Sequence, residues 1–324
     1  MHLTVAICTW NRCSLLRRAL EQMTRLFIPP GVDWELLVVN NNCTDATDEV
    51  IASFSTRLPV RRLFEPQPGL SNARNTAVYG ARGKYILWTD DDVLVDPNWL
   101  AAYARAFETW PDAVFFGGPV RPWFAVPPPA WLEQIWSRVA SAYAMRDLGD
   151  RALRFDGGDH IPYGANFATR DKEQRCYLYD PQLGRKPGTN IVGEETTLLN
   201  TLLAQGYDGW WVPDAVVHHY IPPERMTVRH LRKYFFGSWE TAAIIHGPWN
   251  GRTLFGKPCW VWRQVITLYY GWMIARLRHL ELAAAHEKIN DIIQMSDSYA
   301  TILFVLLSRA ARKIAWALRS CIPG

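Results

Sequence analysis

A mostly parallel, doubly wound α/β sheet is the fold class this sequence predicts, and three observations predict it. Short apolar runs at Leu3–Cys8, Glu35–Val39 and Tyr85–Thr89 alternate with segments whose apolar residues recur at helical spacing. Each run ends in a polar cluster, Thr9–Arg12, Asn40–Asn42 and Asp90–Asp92. Strands alternating with helices in this way feed a parallel sheet covered on both faces, with ligands bound beyond the carboxyl ends of its strands. Three polar clusters therefore converge on one crevice.

The elements follow in order. After the first strand, Leu15, Leu16, Ala19, Leu20 and Met23 mark a helix. "WELLVVNNNCTDATDEV" reads as a buried strand, a polar turn and a helix beginning near Thr44–Ala46. Val60–Phe64 is a third short strand. "GLSNARNTAVYGARG" is a helix ended by Gly80 and Gly83, and Tyr85–Thr89 is the next strand. Further on, Pro127–Pro129 precede a helix, a long polar loop enters a helix at Glu194, and "WWVPDAVVHHY" is a short strand ending in two histidines. Past Pro222-Pro223 the chain turns basic and aromatic. Residues 1–222 are thus expected to form a catalytic domain and 223–324 a separate helical module.

Composition sets the class. With 324 residues, 49% hydrophobic and 20% charged, the chain suits a globular protein with a sizeable core. A net charge of +4 is too mild to argue for a nucleic-acid partner. Six scattered cysteines with no CxxC pair read as reduced thiols in a cytoplasmic protein. The N-terminus enters a strand directly and lacks the charged start of a signal peptide. The 16 tryptophans are a mild pointer to sugar stacking, since most such rings serve the core.

"KYILWTDDDVLVDPNWL" poses the chemical question. Three adjacent carboxylates at the end of a buried strand repel one another and are costly to desolvate, so something must compensate them. A divalent cation does so, being a hard ion that takes carboxylate oxygens. A solvated acidic turn, suggested by Asp96-Pro97-Asn98 just beyond, is the plainer alternative.

Seven motifs, "VAICTWNR", "LLVVNNNCTD", "GLSNARNTA", "GKYILWTDDD", "PYGANFATR", "GEETTLL" and "PDAVVHH", span about residues 3 to 220. In this order they resemble the family 2 glycosyltransferases. That resemblance implies a GT-A fold: a Rossmann-like, mostly parallel sheet flanked by helices, here with a C-terminal helical extension. It implies inverting transfer of a sugar from a nucleotide diphosphate sugar to a hydroxyl of a glycan or lipid-linked acceptor, with Mn²⁺ or Mg²⁺. It also implies the roles. Asp90-Asp91-Asp92 takes the place of the DxD motif, with Asp92 as direct metal ligand, Asp90 facing both metal and ribose, and Asp91 on the donor side. Thr9, Asn11, Arg12, Asn40 and Arg74 fall where the nucleotide is held. Glu195 matches the catalytic base, with Glu194 beside it, and His219, next to His218, matches the histidine that completes the metal site.

Two residues depart from the family pattern: Asn40 replaces a strand-end aspartate, and Glu195 replaces an aspartate one methylene shorter. An amide both donates and accepts, so Asn40 suits uracil, thymine or guanine alike. The chemistry is coherent, because a leaving diphosphate needs charge stabilisation and the acceptor hydroxyl needs a base. Glu194 and Glu195 open a predicted helix, whose dipole favours ionised carboxylates, although an acidic pair there is also ordinary helix capping. Asn166 of "PYGANFATR" is expected on an acceptor-side wall. Two rivals stand beside this reading. An aspartyl-nucleophile phosphatase is disfavoured because Leu94 occupies the position of its Thr or Val. A non-catalytic nucleotide-sugar binder or membrane assembly protein is the other.

The C-terminal segments mix cations with aromatics: Arg225, Arg229, Arg232 and Lys233, then "CWVWRQVITLYYGWMIARLRHL" and "TILFVLLSRAARKIAWALRS". Arg263 and Arg276 interrupt the first apolar segment, so it falls short of the roughly 20 residues that span a bilayer. Interfacial helices on the anionic cytoplasmic face of a membrane are expected, with packing on the catalytic domain as the alternative.

Overall fold

The computed structural model describes residues 1–157, 160–246, 253–254, 257–258, 266 and 270. The chain divides after Thr227 into two compact units, Met1–Thr227 and Val228–Gly324. The sequence-based boundary fell earlier, after Pro222.

In the first unit β1 (His2–Thr9), α1 (Cys13–Met23), β2 (Asp33–Asn40), α2 (Thr47–Ala52), β3 (Val60–Phe64), α3 (Leu70–Gly80) and β4 (Tyr85–Asp90) alternate as expected. Then come β5 (Val93–Val95), α4 (Trp99–Thr109), β6 (Phe115–Gly117), β7 (Val120–Phe124), α5 (Ala130–Val139), β8 (Asn166–Arg170), α6 (Asp171–Gln174), α7 (Glu194–Ala204), β9 (Gly209–Trp211) and β10 (Val217–Ile221). The second unit opens with α8 (Val228–His246) and carries a short pair of strands, β11 (Thr253–Leu254) and β12 (Lys257–Pro258). The regions 259–265 and 271–324, where further interfacial helices are expected, lie outside the described residues.

A seven-stranded sheet runs in the order β3-β2-β1-β4-β8-β6-β9. Its first four strands are parallel, β8 is antiparallel to both neighbours, and β6 and β9 are parallel. The period-2 alternation of side chains sorts each parallel strand between two cores. Leu3, Val5 and Ile7 of β1, Leu36 and Val38 of β2, and Tyr85 and Leu87 of β4 pack with Leu16, Leu20 and Met23 of α1. Ala6, Leu37, Val39, Ile86 and Trp88 face the other way, onto Ala73, Ala77 and Val78 of α3. Each such fully buried Val or Leu stabilises by about 1.5–3 kcal/mol, which fixes the register and therefore the strand ends.

Those ends matter. Register places Thr9 opposite Asn40, and Cys8 opposite Asp90. The three polar clusters leave the sheet at one edge. A second sheet, β5-β10-β7, then delivers the histidines: His219 pairs with Val93, the residue after Asp92, and the Tyr220 amide donates to the Asp92 carbonyl at 2.9 Å. The histidines sit within β10 rather than at its end, so alternation sends them to opposite faces. His219 is buried and faces Asp92, whereas His218 lies in the neighbourhood of Arg121 and Asp96.

Candidate active site

The aspartate triplet does three different jobs. Asp91 is buried; it accepts a hydrogen bond from the Thr9 hydroxyl at 2.7 Å and one from Arg12 Nη1 at 3.0 Å. These contacts tie the end of β1 to the turn after β4. Burial pushes the Asp91 carboxyl up to about 6, against the pull of the Arg12 guanidinium. Asp90 keeps an accessible face, with its side chain 33% exposed, and lies 3.8 Å from Arg74. Burial raises its pKa and Arg74 opposes the rise.

Asp92 is the most heavily compensated of the three. Its Oδ2 accepts from Arg225 Nη2 at 2.8 Å and from Arg12 Nη1 at 3.2 Å, and its Oδ1 lies 3.4 Å from His219 Nε2. Burial works to raise its pKa, but the Arg225 and Arg12 guanidiniums oppose burial and the carboxyl is held below the usual range. Asp92 stays ionised. On its far side the His219 ring is fixed by Nδ1, which is 2.7 Å from the Tyr143 carbonyl. A carbonyl only accepts, so Nδ1 carries a hydrogen; Arg225 Nη1, a donor 3.1 Å from Nε2, requires a lone pair on that second nitrogen.

Arg74 joins this cluster to the acidic pair on α7. Its guanidinium is buried among Trp88, Phe167 and Tyr179, with ring centroids 5.8, 5.6 and 5.4 Å away. It lies 3.3 Å from Glu194 Oε1 and donates to the Gly164 carbonyl at 3.3 Å. Burial, reinforced by the Glu195 charge, pushes Glu194 up to about 7 despite Arg74. Glu195 is only partly buried and accepts from the Gly164 amide at 3.2 Å, which orients its carboxylate. At Gly164 the backbone approaches Arg74 closely, and a Cβ there would meet Nη2 at 2.6 Å, so the guanidinium would have to shift. Gly184 backs Glu194 with φ +83° and no room for a side chain, as a Cβ would stand 2.9 Å from Ser71 Oγ.

The remaining expected donor-side residues hold the loops. Asn11, at φ +52°, accepts from the Thr44 amide at 2.7 Å. The Asn40 carboxamide oxygen accepts from the Cys43 amide at 2.7 Å, and its NH₂ donates to Asp48 at 2.7 Å. Asn166 corrects an expectation. It is fully buried, accepts from Trp99 Nε1 and the Tyr103 hydroxyl, and donates to the carbonyls of Pro119 and Ala215, so it is a rivet in the core and walls no pocket. Cys8, Cys13, Cys43 and Cys176 are free thiols.

Sequence reasoning missed several residues. Asn41 donates to the carbonyls of Glu65 and Gln67 and accepts from the Gly69 amide, which sets the loop that starts α3. Tyr143, Gly164 and Arg225 position His219, Glu195 and Asp92. Arg185 has a solvent-exposed side chain at the crowded mouth of the site; desolvation and the neighbouring Arg225 lower its pKa, while Asp92 opposes the change. Among the described residues no group of three or more His, Cys, Asp or Glu is arranged to hold an ion. None of the described helices is long and apolar enough to cross a membrane.

Residues 4–170 match the family model of glycosyl transferase family 2. The chain belongs to that family. The match covers β1 through β8, hence the aspartate triplet and Arg74. Among its relatives is the succinoglycan biosynthesis protein ExoM of Rhizobium meliloti, 23% identical over 270 residues, which are 77% of this chain and 79% of that protein. Another is the glucosyl-dolichyl phosphate glucuronosyltransferase of Haloferax volcanii, 24% identical over 60% of this chain and 61% of that one. A solved structure of similar fold is the mannosyltransferase PcManGT from Pyrobaculum calidifontis in complex with GDP-Man and Mn²⁺. Its TM-score is 0.55 at 17% identity, covering 96% of this chain and 86% of that one. S. aureus TarS residues 1–349 give 0.53 at 11% identity, covering 93% and 90%. The fold is GT-A, and the family 2 member described here is a glycosyltransferase.

Proposed function

We propose that this family 2 enzyme transfers a sugar from a nucleotide diphosphate sugar to an acceptor hydroxyl by a single displacement with inversion, in the synthesis of a polysaccharide or lipid-linked glycan. The observation that carries the reading is the buried pair Asp92–His219: an ionised carboxylate oxygen and an imidazole lone pair 3.4 Å apart. Neighbouring ligands of a small divalent cation stand about 3 Å apart when each is about 2.1 Å from the ion, so the pair fits Mn²⁺ or Mg²⁺. With two protein donors, such an ion would take its remaining ligands from the donor and from water, as Mg²⁺ sites commonly do. When bound, the ion would supply Lewis-acid stabilisation of the leaving diphosphate.

The chain's own residues do the rest. Arg185 at the mouth and the accessible side of Arg12 present cationic charge to the same diphosphate. Asp90, the one member of the triplet with an open face, accepts from ribose hydroxyls. Glu195, held by the Gly164 amide, takes the proton of the acceptor hydroxyl as its oxygen bonds to the anomeric carbon and the diphosphate oxygen leaves. Glu194, raised to about 7, is largely protonated below that pH and adds no second negative charge beside the base. With Glu195 as the base and Asp90 turned to the donor ribose, none of the carboxylates described here serves as a nucleophile in this reading, and a single displacement inverts the anomeric centre. The exposed Arg229, Arg232 and Lys233 of α8 suit an anionic surface bearing a lipid-linked acceptor.

The test is a thermal-shift screen of UDP-, GDP- and dTDP-sugars with Mn²⁺. Stabilisation by one nucleotide class that requires Mn²⁺ supports the reading; no stabilisation by any of them sinks it.

A further inference from the structure

Arg225 lies on the turn after β10, in a stretch that composition alone assigns to a basic C-terminal module. The structure puts its guanidinium at the centre of the site. Nη2 donates to Asp92 Oδ2 at 2.8 Å, and Nη1 is 3.1 Å from His219 Nε2. A guanidinium has only donors, so the second contact requires a lone pair on Nε2, which fits the neutral tautomer whose one hydrogen sits on Nδ1 against the Tyr143 carbonyl. Tyr143 also donates its hydroxyl to the Arg225 carbonyl at 3.2 Å, so one residue fixes both the imidazole and the backbone of its partner. The fork of Arg225 thus spans the two donor groups that the reading above assigns to a divalent cation.

Electrostatics says why something must sit there. The Asp92 side chain is 4% exposed and Arg225 16%. A carboxylate so buried is very costly without a positive partner. Arg12 supplies part of that charge but touches only one of the two oxygens and is shared with Asp91. The fold therefore needs a cation at Asp92 whether or not a metal is bound.

We propose that Arg225 is the resident counter-cation of this site: it holds Asp92 and His219 Nε2 while no divalent ion is present, and is displaced from them when the ion and the donor diphosphate enter together. The proposal rests on the metal reading given above. Guanidinium and ion compete for the same lone pairs, so binding of the ion alone is weak. The arriving diphosphate brings the negative charge that a displaced guanidinium needs. Ion and nucleotide consequently bind with positive coupling, because each removes part of the other's cost.

The experiment titrates Mn²⁺ against the wild-type protein, Arg225→Gln and Arg225→Lys, following free Mn²⁺ by electron paramagnetic resonance, with and without UDP or GDP. Gln removes the charge and keeps much of the volume, so it retains packing where Ala loses it; thermal unfolding in EDTA verifies that each variant is folded. Without nucleotide, Arg225→Gln should bind Mn²⁺ at least about tenfold more tightly than wild type, the scale of relieving one like charge at contact range. Arg225→Lys should stay near wild type, and the enhancement of Mn²⁺ affinity by nucleotide should shrink in the Gln variant. Wild-type binding with an equal or weaker Mn²⁺ affinity in folded Arg225→Gln overturns this inference alone. If neither wild type nor any variant binds Mn²⁺, even with saturating nucleotide, the metal reading fails and the inference falls with it.

Discussion

Arg74→Met removes a buried charge while keeping most of the side chain's length, and the structure sets both the size and the pH dependence of the result. Arg74 is 3% exposed, 3.3 Å from Glu194 and 3.8 Å from Asp90. Removing one partner of a buried ion pair costs up to about 3–5 kcal/mol when the surviving carboxylate stays charged, and less where it takes up a proton instead. The pH dependence separates this cause from lost packing. Glu194 titrates at about 7 in the folded protein against an ordinary 4.5, so its contribution to stability falls as pH rises from 4.5 through 7. Arg74 lowers that value, so the variant's Glu194 must titrate higher still. Below pH 7 both proteins hold the proton and the stability gap is constant. Above pH 7 wild type has released it and the variant has not, so the gap widens by about 1.4 kcal/mol for each unit of difference. Urea unfolding at pH 6 and pH 9 should show a gap about 1–2 kcal/mol larger at the higher pH. A gap that stays constant or narrows would refute the claim that Arg74 compensates Glu194.

Two further substitutions follow from the site. Glu195→Gln should leave donor KM near wild type and lower kcat by about a hundredfold or more, read as nucleoside diphosphate release; if Glu194→Gln is the more damaging change, the roles of the two carboxylates are exchanged. Asn40→Leu should cost about 1 kcal/mol or more in urea unfolding, because it removes the acceptor of the partly buried Cys43 amide, whereas Asp48 keeps Arg62. A raised donor KM with unchanged stability would instead place Asn40 on the nucleotide.

The first half of the fold was legible because β1 to β4 are long enough for periodicity to show and each ends in a polar cluster. The antiparallel insertion of β8 and the small second sheet were not. β5, β6 and β9 span three residues each, too few for alternation to accumulate. The histidine pair illustrates the limit. The motif offered both residues, and only the pairing of β10 with β5 chose His219 by turning it towards Asp92. Arg225 and Tyr143 could not be read at all, since a basic residue after a double proline and a tyrosine in a helical turn carry no local mark. Asn166 misled for the opposite reason: it lies in a strong motif, yet its four hydrogen bonds all go into the core.

The central claim is that Asp92 makes nucleotide binding depend on a divalent ion. Calorimetric titration of the nucleoside diphosphate identified by the donor screen, into wild type and Asp92→Ala with either Mn²⁺ or EDTA, tests it most directly. The account predicts tight binding only for wild type with Mn²⁺, and loss of that binding in Asp92→Ala although the variant remains folded. Equal affinity in EDTA, or an Asp92→Ala protein that binds as wild type does, would contradict it.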